Sequence, residues 1–562
     1  MARDDSKTVL EGQAAIDLWL QGKEIWNKWV EENPIADVDF AKADFAKYDT
    51  VSFEGYKFPK GYVSFIRAKF GEGRVSFSGA QFGKGGVSFY NTQFGEGRVS
   101  FMRAKFGEGN VYFSGAKFDK GDVSFFNTQF GEGKVDFSGA QFGEGRVDFS
   151  GAKFGEGRVD FSFAKFDKGD VSFVEAKFDK GDVSFMRARF GEGSVNFYNT
   201  QFGEGRVSFI GTKFGESNVS FIRTKFGEGD ISFRGAQFGE GRVSFMRAKF
   251  GEGNVYFSNT KFGEGDVSFT LAKFGEGDVS FNGLKLEGQF NFSDVEGTEQ
   301  IKSLSFKFAT FDGPVSLDGN SFNCIPDFTN TKLTHQLSLS HFTTRAKKTS
   351  KGKAIPIFFA LIQTIWSGSP IQYSKAKSAL KLSRKLSRKL PWLSKTAAAD
   401  KQDIDRIRRL KELAETNKHH KLALDLHVEE MKCSRWIETP WHQLLTEFLF
   451  QKLGDYGRSI FRPTLSLVLL WLTCAPIYAY SSDKKDITYD ALLFSFSQMF
   501  SIIPSSKDAR SESSAALYGT LVNDKLVVDI PHAVFAVAGF QSLASIALVF
   551  LIGLALRNRF RI

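Results

Sequence analysis

Side chains capable of chemistry are few in this 562-residue chain, and they are scattered. His419, His420 and His427 crowd one short segment, a density that invites a metal reading. No carboxylate–His–Cys arrangement of recognised spacing accompanies them, so they read as surface or interhelix histidines. Cys324, Cys433 and Cys474 are odd in number and far apart, which implies no disulfide framework and fits a reduced compartment. There is no Walker phosphate loop, no Gly-x-Ser-x-Gly elbow and no His-Glu-x-x-His. The recurrent Phe-Gly-Glu-Gly-Asp offers acidic oxygens but lacks the Gly-Gly pair and the period of calcium-binding nonapeptides. Gly-Glu-Gly likewise lacks the third glycine and the following helix of a dinucleotide site. No enzyme, cofactor or metal site is therefore expected.

Two other kinds of residue stand out. Gln541, Ser542 and Ser545 interrupt the apolar stretch Ala533–Leu556, where polar side chains either hydrogen-bond to neighbouring helices or line water. Basic residues cluster beside apolar segments. Arg458 and Arg462 precede the apolar run Thr464–Tyr480, and Arg557, Arg559 and Arg561 follow Leu556, all suited to anchoring at headgroups. From Thr343 to Ala399 there are 13 Lys and Arg and no acid. Within it Lys375, Lys377, Lys381, Arg384, Lys385, Arg388 and Lys389 surround Leu382, Leu386 and Leu390, which share one face at helical spacing. This pattern suits an anionic lipid surface, nucleic acid or another polyanion, or a disordered linker.

The element that must carry these groups is set by a repeat. From Val51 to Asp278 the chain is 19 copies of a twelve-residue unit, Val-Ser-Phe-x-x-Ala-Lys-Phe-Gly-Glu-Gly-x. Its third and eighth positions are always Phe, which accounts for 38 of the 63 Phe residues. A period this strict predicts a solenoid. Val and Phe two apart share one side of a short strand, as do Ala and Phe after a corner. Phe65, Phe70, Phe149 and Phe154 are thus core residues stacked in ladders. Thr replaces Ala at the sixth position in some units, and its hydroxyl is expected to bond locally to backbone. The Gly-Glu-Gly segment is expected to turn the chain, with glycine supplying backbone angles other residues resist. Outward charges include Lys120, Lys168 and Lys180 at the tenth position, each preceded by Asp. They read as solvated complementary ladders or as a ligand-binding row.

Phe-x-x-Ala-x-Phe resembles the core of the pentapeptide-repeat family. The resemblance implies a right-handed quadrilateral parallel β-helix, with two twelve-residue units closing one 24-residue coil. Such a stack over residues 51–278 is about 45 Å long at about 4.8 Å per coil, and a 12-residue coil would double that length. Gln21-Gly22-Lys23 with Trp26-Asn27-x-Trp29, Arg408-x-Leu410-Lys411-x-Leu413-Ala414, Glu429-Glu430-Met431, and Leu453-Gly454-Asp455-Tyr456-Gly457-Arg458-Ser459 with Arg462-Pro463 are similar to a bacterial membrane-bound group of that family. Some members of the wider family mimic acidic DNA. This tract carries 31 basic and 28 acidic residues, so that role is rejected.

The chain divides accordingly. Residues 1–34 form an N-terminal capping segment, with Val9–Glu32 read as one amphipathic helix ended by Pro34. Residues 35–342 form the solenoid, degenerating after Asp278. Residues 343–399 are the basic linker, with apolar Ala354–Trp366 inside it. Residues 400–452 are a helical connector that breaks near Asn417. Residues 453–562 form a membrane module with spans at about 461–480 and 533–556, and a re-entrant or interfacial segment at 491–503. The start lacks a signal-peptide apolar core. Basic residues at the outer ends of both spans predict that both termini and the solenoid are cytoplasmic, and the resemblance implies a bacterial inner membrane. Two spans around a short apolar helix match simple tetrameric cation channels, but Phe494-Ser495-Phe496-Ser497-Gln498 is no potassium filter. Two functions are expected: an oligomeric pore-forming effector, by analogy in antiviral defence, or a non-conducting membrane-tethered interaction scaffold. Two helices cannot enclose a water path alone, so the first requires a homo-oligomer.

Overall fold

The computed structural model describes residues 8–350, 396–435, 437–440, 443–484, 487–501, 503–522 and 525–560. Lys375, Lys377, Lys381, Arg384, Lys385, Arg388, Lys389, the segment 354–366 and Arg561 lie outside the described residues. The chain forms two units, one of residues 1–347 with 405–419, the other of 348–404 with 420–562.

In the first unit each Val-Ser strand pairs in parallel with its equivalent 24 residues on, as Val63↔Val87, Val87↔Val111 and Val111↔Val135. One coil therefore holds two units. The first-position strands of alternate units build two 13-stranded sheets. Lys-Phe and Gln-Phe strands build shorter ladders between them, continued by single bridges such as Lys69↔Gln93. The whole is a parallel β-solenoid of about 14 turns. Its core is aromatic. Phe65 stacks on Phe89 at 4.9 Å, Phe70 on Phe94 at 4.9 Å, and Phe154 on Phe178 at 4.5 Å, all with nearly parallel rings. Facing ladders meet edge-on, Phe149 against Phe161 at 5.4 Å and 85°. Both arrangements suit the aromatic quadrupole better than a direct sandwich, provided the stacked rings are offset. Phe65, Phe70, Phe149 and Phe154 are all buried.

Contrary to the expectation from sequence, the Gly-Glu-Gly segment supplies none of the left-handed backbone angles. Left-handed residues fall at the fifth position, between the two strands of a unit, in Arg67, Asn91, Phe163 and Leu271 as well as in Gly55 and Gly79. The Gly-Glu-Gly glycines have no positive φ. A Cβ at Gly145 would run into the carbonyl of Gly121 one coil earlier. At the eleventh position successive coils touch backbone to backbone and glycine avoids the clash, whereas the ninth position also accommodates Asp119, Asp167 and Asp179. The sixth-position threonines are buried, and each bonds to the previous coil: Thr92 Oγ1 donates to Phe65 O and Thr200 Oγ1 to Phe173 O, both at 2.7 Å. On the surface, Lys168 pairs at 3.0 Å with Glu144 one coil earlier, and Lys120 with Glu96 and Lys180 with Glu156 do the same. All are about half exposed, so such pairs contribute little.

Both ends of the stack are closed. At the N-terminal end the expected single helix is three elements. Val9–Glu11 is a strand that extends a sheet by pairing with Asp37–Asp39. Helices α1 (Gly12–Leu20) and α2 (Lys23–Glu32) follow, separated at Gly22, whose φ of 95° breaks the helix. Trp26 packs on Phe40 and Phe58, and its indole N–H donates to Lys57 O at 2.7 Å. Trp19 packs on Phe45 and Phe53, whereas the neighbouring Leu20 is exposed. At the other end stands α3 (Asp403–Thr416), whose Ile407, Leu410 and Ala414 are buried. Asn417 Oδ1 accepts from Leu337 N at 2.9 Å and His419 Nε2 from Leu339 N at 3.3 Å, satisfying donors of the last strand. Read from sequence as connector, residues 405–419 instead cover an open sheet edge. Arg406 and Lys307 both reach Asp327, at 2.8 and 3.2 Å.

In the second unit, Lys348–Ser350 pairs antiparallel with Thr396–Ala398. Helices α4 (His420–Ser434), α5 (Leu444–Gly454), α6 (Phe461–Tyr480), α7 (Thr488–Met499), α8 (Ser506–Tyr518) and α9 (His532–Arg559) follow. Helix α8 and the hairpin Gly519–Val522/Lys525–Val528 were not foreseen in the sequence. Alternation in that hairpin is brief, and α8 is too polar to show an apolar stripe.

Candidate functional site

Two helices, α6 of 20 residues and α9 of 28, are long and apolar enough to cross a membrane. At 1.5 Å per residue they measure about 30 and 42 Å. Their outward faces are apolar: Leu465, Leu469, Leu472 and Ile477 on α6, and Phe535, Phe540, Leu543 and Phe550 on α9, are all exposed. Asn558 Nδ2 near the end of α9 donates to Gly457 O just before α6, at 3.1 Å. The basic ends of the two helices therefore coincide. Arg557 and Arg559 are exposed there. Arg458 has protein partners instead, Asp425 and, at 2.9 Å, Asp455, and Arg462 lies 3.7 Å from Asp455.

The polar residues of α9 meet at one node. Gln541 is fully buried. Its Oε1 accepts from Tyr478 Oη of α6 at 2.7 Å, and its Nε2 donates to Ser495 O and Oγ of α7 at 3.0 and 2.9 Å. Ser495 Oγ in turn donates to Trp471 O at 2.9 Å. Ser545 is also buried and donates back to Gln541 O at 2.7 Å, while Ser542 donates to Gln498 O at 3.0 Å. One amide thus ties three helices, and its hydrogen-bonding capacity is used inside the chain. The short segment expected at 491–503 is α7. It packs Phe494 with Tyr478, Leu517 and Val534 in the core of this unit.

The string Gly-Asp-Tyr-Gly has a definite geometry. Asp455, Tyr456 and Gly457 have φ of 47°, 55° and 80°, a run of left-handed residues that links α5 to α6 tightly. Tyr456 is buried, and burial pushes its phenol pKa up. Its hydroxyl donates to Glu447 Oε1 at 3.1 Å and accepts from Arg435 at 2.7 Å, and Arg435 Nε reaches the same carboxylate oxygen at 3.0 Å. Arg435 and Glu447 were missed from the sequence. The usable signal was a lone carboxylate in the apolar run Leu-Leu-Thr-Glu-Phe-Leu-Phe. Nearby Cys433 is buried, and burial raises its thiol pKa to about 12, the mark of an unreactive cysteine.

A cavity of about 370 Å³ opens between α7, α8 and α9. Lys507 and Arg510 of α8 line one side, Phe535 and Gly539 of α9 the other. The histidines find structural roles: His419 caps a strand, and His427 lies 3.9 Å from Glu430. Among the described residues no group of His, Cys, Asp and Glu is arranged to hold a metal. No family model, curated protein or solved structure matches the chain.

Proposed function

We propose that this chain is a membrane-anchored repeat protein, in which α6 and α9 cross the membrane and the solenoid is a rigid surface for assembly rather than a catalyst. The observation that carries the reading is the apolar side chains turned outward along both long helices, a surface suited to lipid and costly in water. The helical unit is an anchor more than a conduit. Gln541 and Ser545, the polar groups best suited to line water, are spent on Tyr478, Ser495 and their own helix. Arg462, Arg557 and Arg559 at one end favour a cytoplasmic location for that end and for the chain preceding α6. The likeness to membrane-bound pentapeptide-repeat proteins supports a bacterial inner membrane.

A pore built by several copies is the second reading, favoured by the short α7 between two long helices. Its use would be membrane disruption in defence, by analogy. Ion flux from liposomes carrying the full-length chain separates the two. The anchor reading expects flux no greater than from empty liposomes. Flux altered by Gln541→Leu and Ser545→Leu supports the pore and contradicts the anchor.

A further inference from the structure

The cavity between α7, α8 and α9 combines two chemistries. Lys507 and Arg510 stand one turn apart on α8, with Ser511 and Ser514 beside them. Neither cation is paired with a carboxylate among the described residues. Arg510 donates from one terminal nitrogen to Ser497 O at 3.2 Å and to Ser506 Oγ at 3.4 Å, and its buried Nε has no hydrogen-bond partner. A guanidinium with unmet donors beside a lysine is a receptor for a phosphate, since planar forked donors match its oxygens. The acids of α8, Asp508 and Glu512, do not line the cavity.

The opposite wall is apolar and continues out of the cavity. Phe535 and Gly539 belong to α9, and Phe535 is largely exposed. A Cβ at Gly539 would touch nothing within 4 Å, so this glycine leaves a slot rather than relieving a clash. Gly539 is the eighth residue of α9, about 10 Å along its axis from the first. Arg510 donates to Ser497 O, and Ser542, the eleventh residue of α9, donates to the neighbouring Gln498 O, so the charged wall faces the first three turns of α9. A pair of cations facing an apolar wall is the combination that the phosphate and acyl chains of a phospholipid require. A volume of about 370 Å³ lies within the usual range for ligand sites. It holds a headgroup and the first part of the chains, with the remainder lying along α9.

The geometry points to an anionic-phospholipid site in this cavity, its phosphate held by Lys507 and Arg510 and its acyl chains laid along Phe535 and Gly539. This rests on the membrane-anchored reading. The shared chemistry is a phosphate group, and an inorganic phosphate could meet the cations without using the apolar wall.

Native mass spectrometry of the detergent-solubilised full-length chain tests it, with phosphatidylglycerol and phosphatidylcholine titrated separately. Phosphatidylglycerol is expected to be retained about tenfold more tightly than phosphatidylcholine, and Lys507→Gln with Arg510→Gln to abolish that preference. Gly539→Leu is expected to weaken both lipids by filling the slot. It changes no polar contact and leaves open space for its Cβ, so the thermal transition should not move. Equal retention of the two lipids, or unchanged retention in the variants, overturns the site. Displacement of phosphatidylglycerol by equimolar inorganic phosphate overturns the lipid assignment in favour of a free anion. Flotation with vesicles is run alongside. A chain that floats but shows no preference fails this proposal alone, and a chain that does not float fails the membrane reading with it.

Discussion

Phe149 stacks on Phe125 at 4.7 Å and on Phe173 at 4.9 Å, and the same contact recurs along the solenoid. Gln541 meets Tyr478 and Ser495 once, and nothing else among the described residues of the helical unit repeats that contact. The solenoid obtains its order by repeating one small set of contacts between neighbours. The helical unit obtains its order from single polar groups that each hold several helices. Damage should therefore stay local in the first and spread in the second.

The largest effect tests the solenoid side. Phe149→Ala should cost about 3–5 kcal/mol of local stability, because a rigid stack collapses poorly around the lost ring. Hydrogen exchange in the full-length chain should rise in the coils next to Phe149 and stay unchanged several coils away. Loss of protection along the entire stack would break the comparison. Gln541→Leu comes next. It removes the acceptor of Tyr478 and should cost about 1–3 kcal/mol, with faster exchange in α6, α7 and α9 together. Exchange confined to α9 would show that the node does not couple the helices.

The end cap gives a pH-dependent effect. Burial alone would raise the Asp327 carboxyl pKa, but hydrogen bonds from Thr329 and Arg406 and the charge of Arg406 outweigh it, and the pKa lies below the usual value. A depressed carboxyl stabilises fully above its unfolded pKa, about 4, and loses that contribution as pH falls through the lower folded value. Thermal melts at neutral pH should therefore separate the native chain from Asp327→Asn. The gap should close on acidification below the folded pKa, and a gap independent of pH would contradict the assignment. The smallest effects are the most instructive about repetition. Thr200→Ala removes one hydrogen bond and should cost about 0.5–1.5 kcal/mol, since most units already carry Ala there. Lys168→Ala should leave the melting temperature unchanged, because its partner Glu144 and the lysine are both solvated.

The period made the solenoid legible. Phe at the third and eighth positions fixes the inward faces, and the volume of those rings favours a 24-residue coil over a 12-residue one, a choice that the strand register decides. The role of Gly145 was not legible, because close approach between coils depends on a neighbour 24 residues away rather than on local conformation. The N-terminal cap was half legible. Its apolar spacing announced a helix, but the strand Val9–Glu11 comes from pairing with Asp37–Asp39, and the helix is broken by the φ of 95° at Gly22. In the helical unit the two long apolar runs announced themselves by composition. Gln541 stood out as a polar residue in one of them, yet its partners Tyr478 and Ser495 are 63 and 46 residues away. Lys507 and Arg510 carried no signal, since two basic residues on a polar helix become a site only when α9 supplies the opposite wall.

The central claim is that α6 and α9 hold this chain in a membrane. Alkaline extraction of membranes containing the full-length chain, followed by flotation of the pellet through a density gradient, tests it most directly. The account predicts that the chain resists extraction, floats with lipid and enters solution only with detergent. Recovery in the alkaline supernatant as a stable, monodisperse protein would contradict it, since the exposed faces of Leu469, Phe540 and Phe550 would then have to be covered by protein instead of lipid.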